Sequence, residues 1–376
     1  MKKLQMVDLK GQYEKIQDKV NGAIANVIES SAFINGPEVK GFQEDLQAYL
    51  DVKHVIPCGN GTDALQISMM ALGLKQGDEV ITVDFTFAAT VEVIALLKLT
   101  PVLVDVDATT FNMDVEALKK AITPKTKAIV PVHLFGQCAN MEAILKVAKT
   151  HNLHIIEDTA QALGAQYTFG NGTKKKAGTI GTVGTTSFFP SKNLGCYGDG
   201  GAIFTNNDEL AHTIRGIVNH GMYEKYYHDV VGVNSRLDSI QAAVLRIKLD
   251  LLDSYCETRR KAAAYYSAGF AHSDKLITPS TSDFTTHVFH QYTLKIIDAD
   301  RNALHKYLNE KNIPNAIYYP VPLHHQRAYK NTKYDENDFK VTNQLVGSVI
   351  SLPMHTELET EQQDHVIHTI LKFLNT

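Results

Sequence analysis

Ser187-Phe-Phe-Pro-Ser-Lys-Asn-Leu-Gly-Cys-Tyr-Gly-Asp-Gly-Gly-Ala202 sets one lysine, Lys192, between two aromatics and a glycine-rich tail. Asp199 is the only other charge in the stretch, and no helical spacing accounts for the lysine. An amine held in a tight, partly apolar turn is poorly solvated. Poor solvation lowers its pKa and makes it a nucleophile toward carbonyls. A surface loop with an incidental lysine is the competing reading, and the rest of the chain must decide.

Outward from this stretch the chain alternates short apolar runs with amphipathic ones. Strands are expected at 54–57, 79–83, 101–104, 128–132 and 154–157, with helices at 62–72, 88–98, 114–121 and 141–150 between them. Such alternation predicts a mainly parallel sheet covered by helices on both faces, with ligands at the carboxyl ends of the strands. Two helices, at 13–31 and 39–50, precede it. Further strands are expected at 185–189 and 202–205, flanking the lysine stretch, and helices at 208–218 and 236–252. A long helix to about 270, strands at 291–297 and 315–318, and helices at 303–309 and 361–374 then suggest an α+β unit. The expected fold class is α/β, with a large domain over 1–250 and a smaller α+β domain over 251–376.

Composition narrows the function classes. The chain has 376 residues, 44% of them hydrophobic, enough for a sizeable core. Charged residues make up 21% and the net charge is -4, which predicts no general attraction to nucleic acid or membrane. Lys174-Lys175-Lys176 lies among Gly and Thr and reads as a solvated loop tip. Cys58, Cys138, Cys196 and Cys256 are widely spaced, which suggests neither a disulfide framework nor a zinc site, and fits a reducing cytoplasm. Met-Lys-Lys-Leu at the start leads into no apolar segment, and no run reaches membrane-spanning length. His151-x-x-His154 straddles a helix end and a strand start, so no metal site is expected.

Two other motifs bear on Lys192. Cys58-Gly-Asn-Gly-Thr-Asp-Ala64 joins an expected strand to a helix, where free N–H groups and the helix dipole suit a phosphate. It also fits G-x-G-x-x-A, with Asp84 at the end of the next strand as a ribose ligand, so a nicotinamide-dependent redox reading competes. A plain turn capped by Thr62 or Asp63 is the third reading. Asp158 ends an apolar strand and either caps the next helix or pairs with a protonated heteroaromatic nitrogen. A dinucleotide leaves Lys192 without a role. Pyridoxal 5'-phosphate uses all three features: phosphate on the 59–62 turn, ring nitrogen on Asp158, aldehyde on Lys192.

The chain also resembles, over essentially its whole length, the DegT/DnrJ/EryC1/StrS family of PLP-dependent nucleotide-sugar aminotransferases. The likeness rests on residues 58–65, Gly77-Asp-Glu-Val-Ile-Thr82, Thr86-Phe-Ala-Ala-Thr90, Ile156-Glu-Asp-Thr-Ala-Gln161, the lysine stretch and Gly232-Val-Asn-Ser-Arg-Leu-Asp238. The resemblance implies fold type I and a homodimer with shared active sites. It implies that Lys192 and Asp158 are catalytic and that Gln161 meets the cofactor's phenolic oxygen. Phe87 would stack on the ring, Gly61, Thr62 and Ser187 would hold the phosphate, and Asn234 would reach it from the partner subunit. L-glutamate would be the amino donor, leaving 2-oxoglutarate and pyridoxamine phosphate, and a keto-sugar the acceptor.

Within the family, residues 187–206 and 233–238 are most similar to the 3-aminotransferases of UDP-2-acetamido-2-deoxy-3-ketoglucuronate, which serve O-antigen synthesis. Arg236 would then grip the uronate carboxylate. Tyr318, Tyr319 and His324 match the sugar-contacting loop, although Tyr318 stands where the uronate enzymes carry histidine and an exposed histidine is the simpler reading of His324. A dTDP-3-keto-6-deoxyhexose is the competing substrate. A sugar dehydratase on the same fold would carry histidine in place of Lys192. A regulatory PLP-binding relative would have an added DNA-binding module, and none is evident.

Overall fold

A computed structural model describes residues 2–331 and 333–375. Five strands, β1 (His54–Cys58), β2 (Glu79–Val83), β3 (Thr100–Val104), β4 (Thr126–Val130) and β5 (His154–Asp158), alternate with helices Gly61–Ala71, Ala89–Leu96, Val115–Ala121 and Met141–His151. A two-stranded ribbon follows, β6 (Gln166–Thr168) with β7 (Lys174–Lys176), then β8 (Val183–Ser187) and β9 (Gly201–Thr205). The seven-stranded sheet runs β1-β9-β8-β5-β4-β2-β3. Its pairs are parallel except those of β9, which is antiparallel to both neighbours. The mainly parallel sheet expected from the alternation is therefore present.

Why these segments become central strands is visible in their side chains. Ile81, Val83, Ile129 and Ile155 enter one buried cluster with Leu46, Met141 and Ile144. Their alternates Val80, Ala128, Val130 and Ile156 enter another with Leu65, Met69, Val93 and Ile94. Both faces of the sheet are covered by helices, as a near-continuous apolar run demands. Asn60, Asp114, Asn140 and Asn207 each accept a backbone N–H at a helix start, so those helices begin where the sequence supplies a cap.

Beyond β9 come helix Asp208–Ile217, the small ribbon β10 (Met222–Glu224) and β11 (Tyr227–His228), and helices Ser239–Leu249 and Leu252–Phe270. Strands β12 (Leu276–Ile277), β13 (Tyr292–Ile296) and β14 (Val349–Leu352) form an antiparallel sheet. It packs with helices Arg301–Glu310 and Thr360–Leu374 around Tyr266, Phe270, Leu294, Leu304, Ile350, Val366 and Ile370. Helix Leu252–Phe270 starts in the core under the large sheet, through Leu252 and Cys256, and ends in this second core, through Ala262 and Phe270. Leu4 packs in the second core too.

Several expectations need correction. The segment at 13–31 is two helices, Leu9–Glu14 and Gln17–Ser30. The expected strand at 315–318 is a single bridge, Ala316 to Ser351. The helix expected from 236 starts at Ser239, after Asn234 and Asp238 have bridged to Asn219 and Ile34 and Asp238 has taken an extended backbone. Lys174–Lys176 is strand β7 rather than a loop tip, with the Lys176 ammonium 4.2 Å from the centre of the Tyr49 ring.

Candidate active site

The carboxyl ends of the parallel strands surround a cavity of about 600 Å³. β1 leads into the helix at Gly61, β2 into Thr86 and Phe87, β4 into Phe135, and β5 ends on Asp158. β8 ends on Ser187, and because β9 returns antiparallel with Gly201 opposite Ser187, the chain between them bulges out at this same edge. That is what puts Lys192 in the cavity wall. Nine of the twelve residues singled out from sequence line it: Gly61, Thr62, Phe87, Asp158, Gln161, Ser187, Lys192, Tyr318 and Tyr319.

The Gly61 end is built to receive an anion. Asn60 takes the cap, accepting from Asp63 N–H at 2.8 Å, in place of the Thr62 or Asp63 cap considered above. Asp63 instead accepts from the Ser235 hydroxyl at 2.6 Å, and the same hydroxyl accepts from Gly59 N–H at 2.8 Å. A Cβ on Gly61 would lie 2.7 Å from the Ser187 Cβ, and one on Gly201 would lie 2.4 Å from the Asn60 backbone. Glycine is therefore needed for the helix start to close on strands β8 and β9, leaving the first N–H groups of the helix and the Ser187 hydroxyl at one end of the cavity.

Asp158 is buried, and its orientation is fixed by Thr90, whose hydroxyl donates to Oδ2 at 2.9 Å, and by Ala160 N–H at 3.1 Å from Oδ1. The strand end beneath it is rigid. Glu157 points the other way, fully buried, and accepts from the N–H groups of Gly178 and Ile180, with His133 Nε2 at 2.9 Å. Gln161 is held at both ends of its amide: Oε1 accepts from Phe135 N–H at 2.8 Å, and Nε2 donates to the Tyr319 hydroxyl at 3.1 Å. One N–H of that amide remains for a ligand. Phe87 is 59% exposed in the cavity wall, although it is a large apolar ring.

Burial pushes the Lys192 amine down to about 8, against the opposing pull of the Asp158 carboxylate. The depressed pKa expected from its glycine-rich surroundings is present, with desolvation as the cause. The loop carrying it is propped from below by Lys248, a buried lysine whose ammonium donates to Gly195 O at 2.6 Å.

Three of the singled-out residues lie outside the cavity. Asn234 is exposed, and Arg236 reaches Asn219 Oδ1 at 3.4 Å. His324 is a correction. It is buried rather than exposed, its ring stacks on Phe339, and its Nδ1 lies 2.7 Å from Asp84 Oδ2. Asp84 is thereby consumed as well, facing the 324 loop and not the cavity, so the redox reading loses its ribose ligand. Conversely, Phe189, Asp199, His290 and Gln291 line the cavity and were not foreseen. Phe189 and Asp199 flank Lys192 within the opening stretch, which is the one signal that could have found them. His290 sits near Lys192, and burial together with the neighbouring cations Lys192 and Arg259 keeps it neutral.

The residues present fit a phosphorylated pyridine: an anion cradle at one end, a buried carboxylate, an exposed ring in the wall and a lysine of lowered pKa. Comparison with known proteins agrees. The DegT/DnrJ/EryC1/StrS aminotransferase family matches residues 14–371. A pleiotropic regulatory protein of Geobacillus stearothermophilus is 48% identical over 98% of each chain. The UDP-2-acetamido-2-deoxy-3-oxo-D-glucuronate aminotransferase of Pseudomonas aeruginosa is 44% identical over 95% of this chain and 96% of its own. A dTDP-3-amino-3,4,6-trideoxy-alpha-D-glucose transaminase of Streptomyces venezuelae is 39% identical over 97% and 94%. Among solved structures, S. venezuelae DesV in complex with a ketimine intermediate superposes with a TM-score of 0.95 at 38% identity, covering 100% of both chains. NtdA from Bacillus subtilis with bound PMP gives 0.88 at 29% identity, over 96% of this chain and 82% of its own. The chain therefore belongs to the DegT/DnrJ/EryC1/StrS aminotransferase family and is a PLP-dependent sugar aminotransferase of fold type I.

Proposed function

We propose that the protein transfers the amino group of L-glutamate to the C3 keto group of UDP-2-acetamido-2-deoxy-3-keto-glucuronate, as a cytoplasmic homodimer, in surface-polysaccharide (O-antigen) synthesis. The observation that carries the transferase reading is the convergence of the Gly61 helix start, Asp158 and Lys192 on one cavity. The choice of sugar is supported by the 44% relative and by residues 187–206 and 233–238.

When bound, pyridoxal phosphate supplies an electron sink for the carbon that gives up its proton. The chain's own groups do the rest. Gly61 and Thr62 N–H and the Ser187 hydroxyl would hold the phosphate. Asp158 offers a fixed negative charge to the ring nitrogen, and Thr90 keeps that carboxylate aimed. Gln161 offers its free N–H to the phenolic oxygen, and Phe87 covers one ring face. Lys192 would hold the aldehyde, and its Nζ would carry the proton that is moved. A pKa of about 8 lets this amine both accept and return a proton near neutral pH. Asn234 and Arg236, outside their own chain's cavity, are proposed to serve the partner's cavity, Asn234 at the phosphate and Arg236 at the uronate carboxylate. Tyr318 and Tyr319 close the sugar side.

Tyr318, in place of histidine, favours a second reading, a dTDP-3-keto-6-deoxyhexose acceptor, which the 39% relative also supports. Purified enzyme with glutamate and each keto-sugar, read by product mass, separates the two. Amination of the UDP-uronate is expected, and selective turnover of the dTDP sugar overturns the substrate assignment.

A further inference from the structure

Outside the cavity, one cluster among the described residues gathers three metal-ligating side chains. His324 and His325 lie in the short turn Leu323–His325, and Glu336 opens the turn Glu336–Phe339. Their ligand atoms lie within 4.8 Å of one another. His324 Nε2 is 3.3 Å from Glu336 Oε2, and His325 Nε2 is 2.5 Å from Glu336 Oε1. The spacing of the three in sequence matches no motif, so only the fold reveals the set.

His324 is preset as a ligand. Both Asp84 oxygens are committed to it: Oδ1 accepts from the His324 backbone N–H at 2.8 Å, and Oδ2 lies 2.7 Å from Nδ1. With the proton on Nδ1 facing a carboxylate, the lone pair of Nε2 points at Glu336. Phe339 stacks on the ring at 4.3 Å and fixes its plane. A carboxylate bonded to the far nitrogen of a metal-binding histidine is the usual means of setting its tautomer and raising its basicity.

We propose that His324, His325 and Glu336 bind one Zn²⁺ through two imidazole Nε2 atoms and one carboxylate oxygen, with water in the fourth position. Bond lengths of about 2.0–2.1 Å place tetrahedral ligands roughly 3.3 Å apart. His324 and Glu336 already stand at that separation. His325 and Glu336 are on the surface side, where small rotations complete the set. Two imidazoles and a carboxylate suit zinc, whereas calcium and magnesium require oxygen ligands. None of the three residues lines the cavity, so the metal is not catalytic. It is a clamp. It ties the turn that follows Tyr318 and Tyr319 to the 336–339 turn, and through Asp84 to the end of β2, whose next residues Thr86 and Phe87 line the cavity.

The test uses the tag-free, full-length, PLP-loaded enzyme, stripped of metal by a chelator and titrated with Zn²⁺ by calorimetry, with melting followed in parallel. One zinc per chain and a raised melting temperature are expected. Glu336→Gln and His325→Ala, both at surface positions, are expected to weaken binding about tenfold or more and to lose the melting shift. His272→Ala, an exposed histidine elsewhere, is expected to bind zinc as the parent does. Absence of a stoichiometric site in the parent, or parental affinity in either ligand variant, overturns the proposal.

Discussion

Replacing Lys248 by methionine is expected to change how stability responds to pH, in a direction set by the burial of its amine. Lys248 is 1% exposed, and its ammonium donates to Gly195 O beneath the loop that carries Lys192. Burial lowers its pKa from 10.5 to about 8. Between those values the unfolded chain holds a proton that the folded chain has released. Stability therefore rises with pH across this window, and the penalty of burying the charge is fully present below it. Each pH unit in the window is worth up to about 1.4 kcal/mol. Integrated from pH 8 to pH 9.5, the parent should gain about 1.5 kcal/mol relative to Lys248→Met. Buried thiols such as Cys58 and Cys138, which burial pushes up, act in the opposite direction, but they are common to both proteins and cancel in the difference. Urea unfolding of the two proteins at several pH values measures it. Parallel stability curves from pH 8 to 9.5 would refute the claim that Lys248 is a desolvated, titrating amine.

The same reasoning gives other outcomes. Gly61→Ala puts a Cβ against Ser187, and is expected to cost about 1–3 kcal/mol in cofactor affinity or stability, read by PLP titration of the apoenzyme and by melting. Gly22→Ala and Gly347→Ala, in helices where an added Cβ meets nothing within 4 Å, should instead stabilise by roughly 0.5–1 kcal/mol in urea unfolding. Glu157→Ala removes the acceptor of the Gly178 and Ile180 N–H groups and the partner of His133, and is expected to destabilise by about 3–5 kcal/mol. Asp158→Asn leaves the Thr90 contact but deletes the charge offered to the ring, and should lower kcat on the order of 100-fold or more while PLP still binds.

The site was legible in sequence where chemistry restricts both residue type and position in the fold. A glycine turn before a helix, a carboxylate ending a strand and a lysine in a glycine-rich loop each sit at a strand's carboxyl end, so the alternation of strands and helices sufficed to bring them together. What sequence did not reveal depends on contacts between distant segments. His324 reads as an exposed loop residue until its partner Asp84, 240 residues away, is known. His290 and Gln291 enter the cavity from just before β13, with no periodicity to mark them. Lys174–Lys176 hides a strand behind three charges, because β7 pairs on one edge only and its side chains can remain in water. The run at 315–318 reads as a strand in sequence, yet only Ala316 pairs, in one bridge to Ser351.

The central claim is that Lys192, and no other lysine, carries the cofactor. Borohydride reduction of the yellow holoenzyme, followed by proteolysis and peptide mass, tests it most directly. The account predicts the pyridoxyl mass on the peptide containing Lys192, and a colourless Lys192→Ala variant that transaminates neither glutamate nor sugar. A label on another lysine, such as the fully buried Lys248, or full transamination by Lys192→Ala, would contradict it.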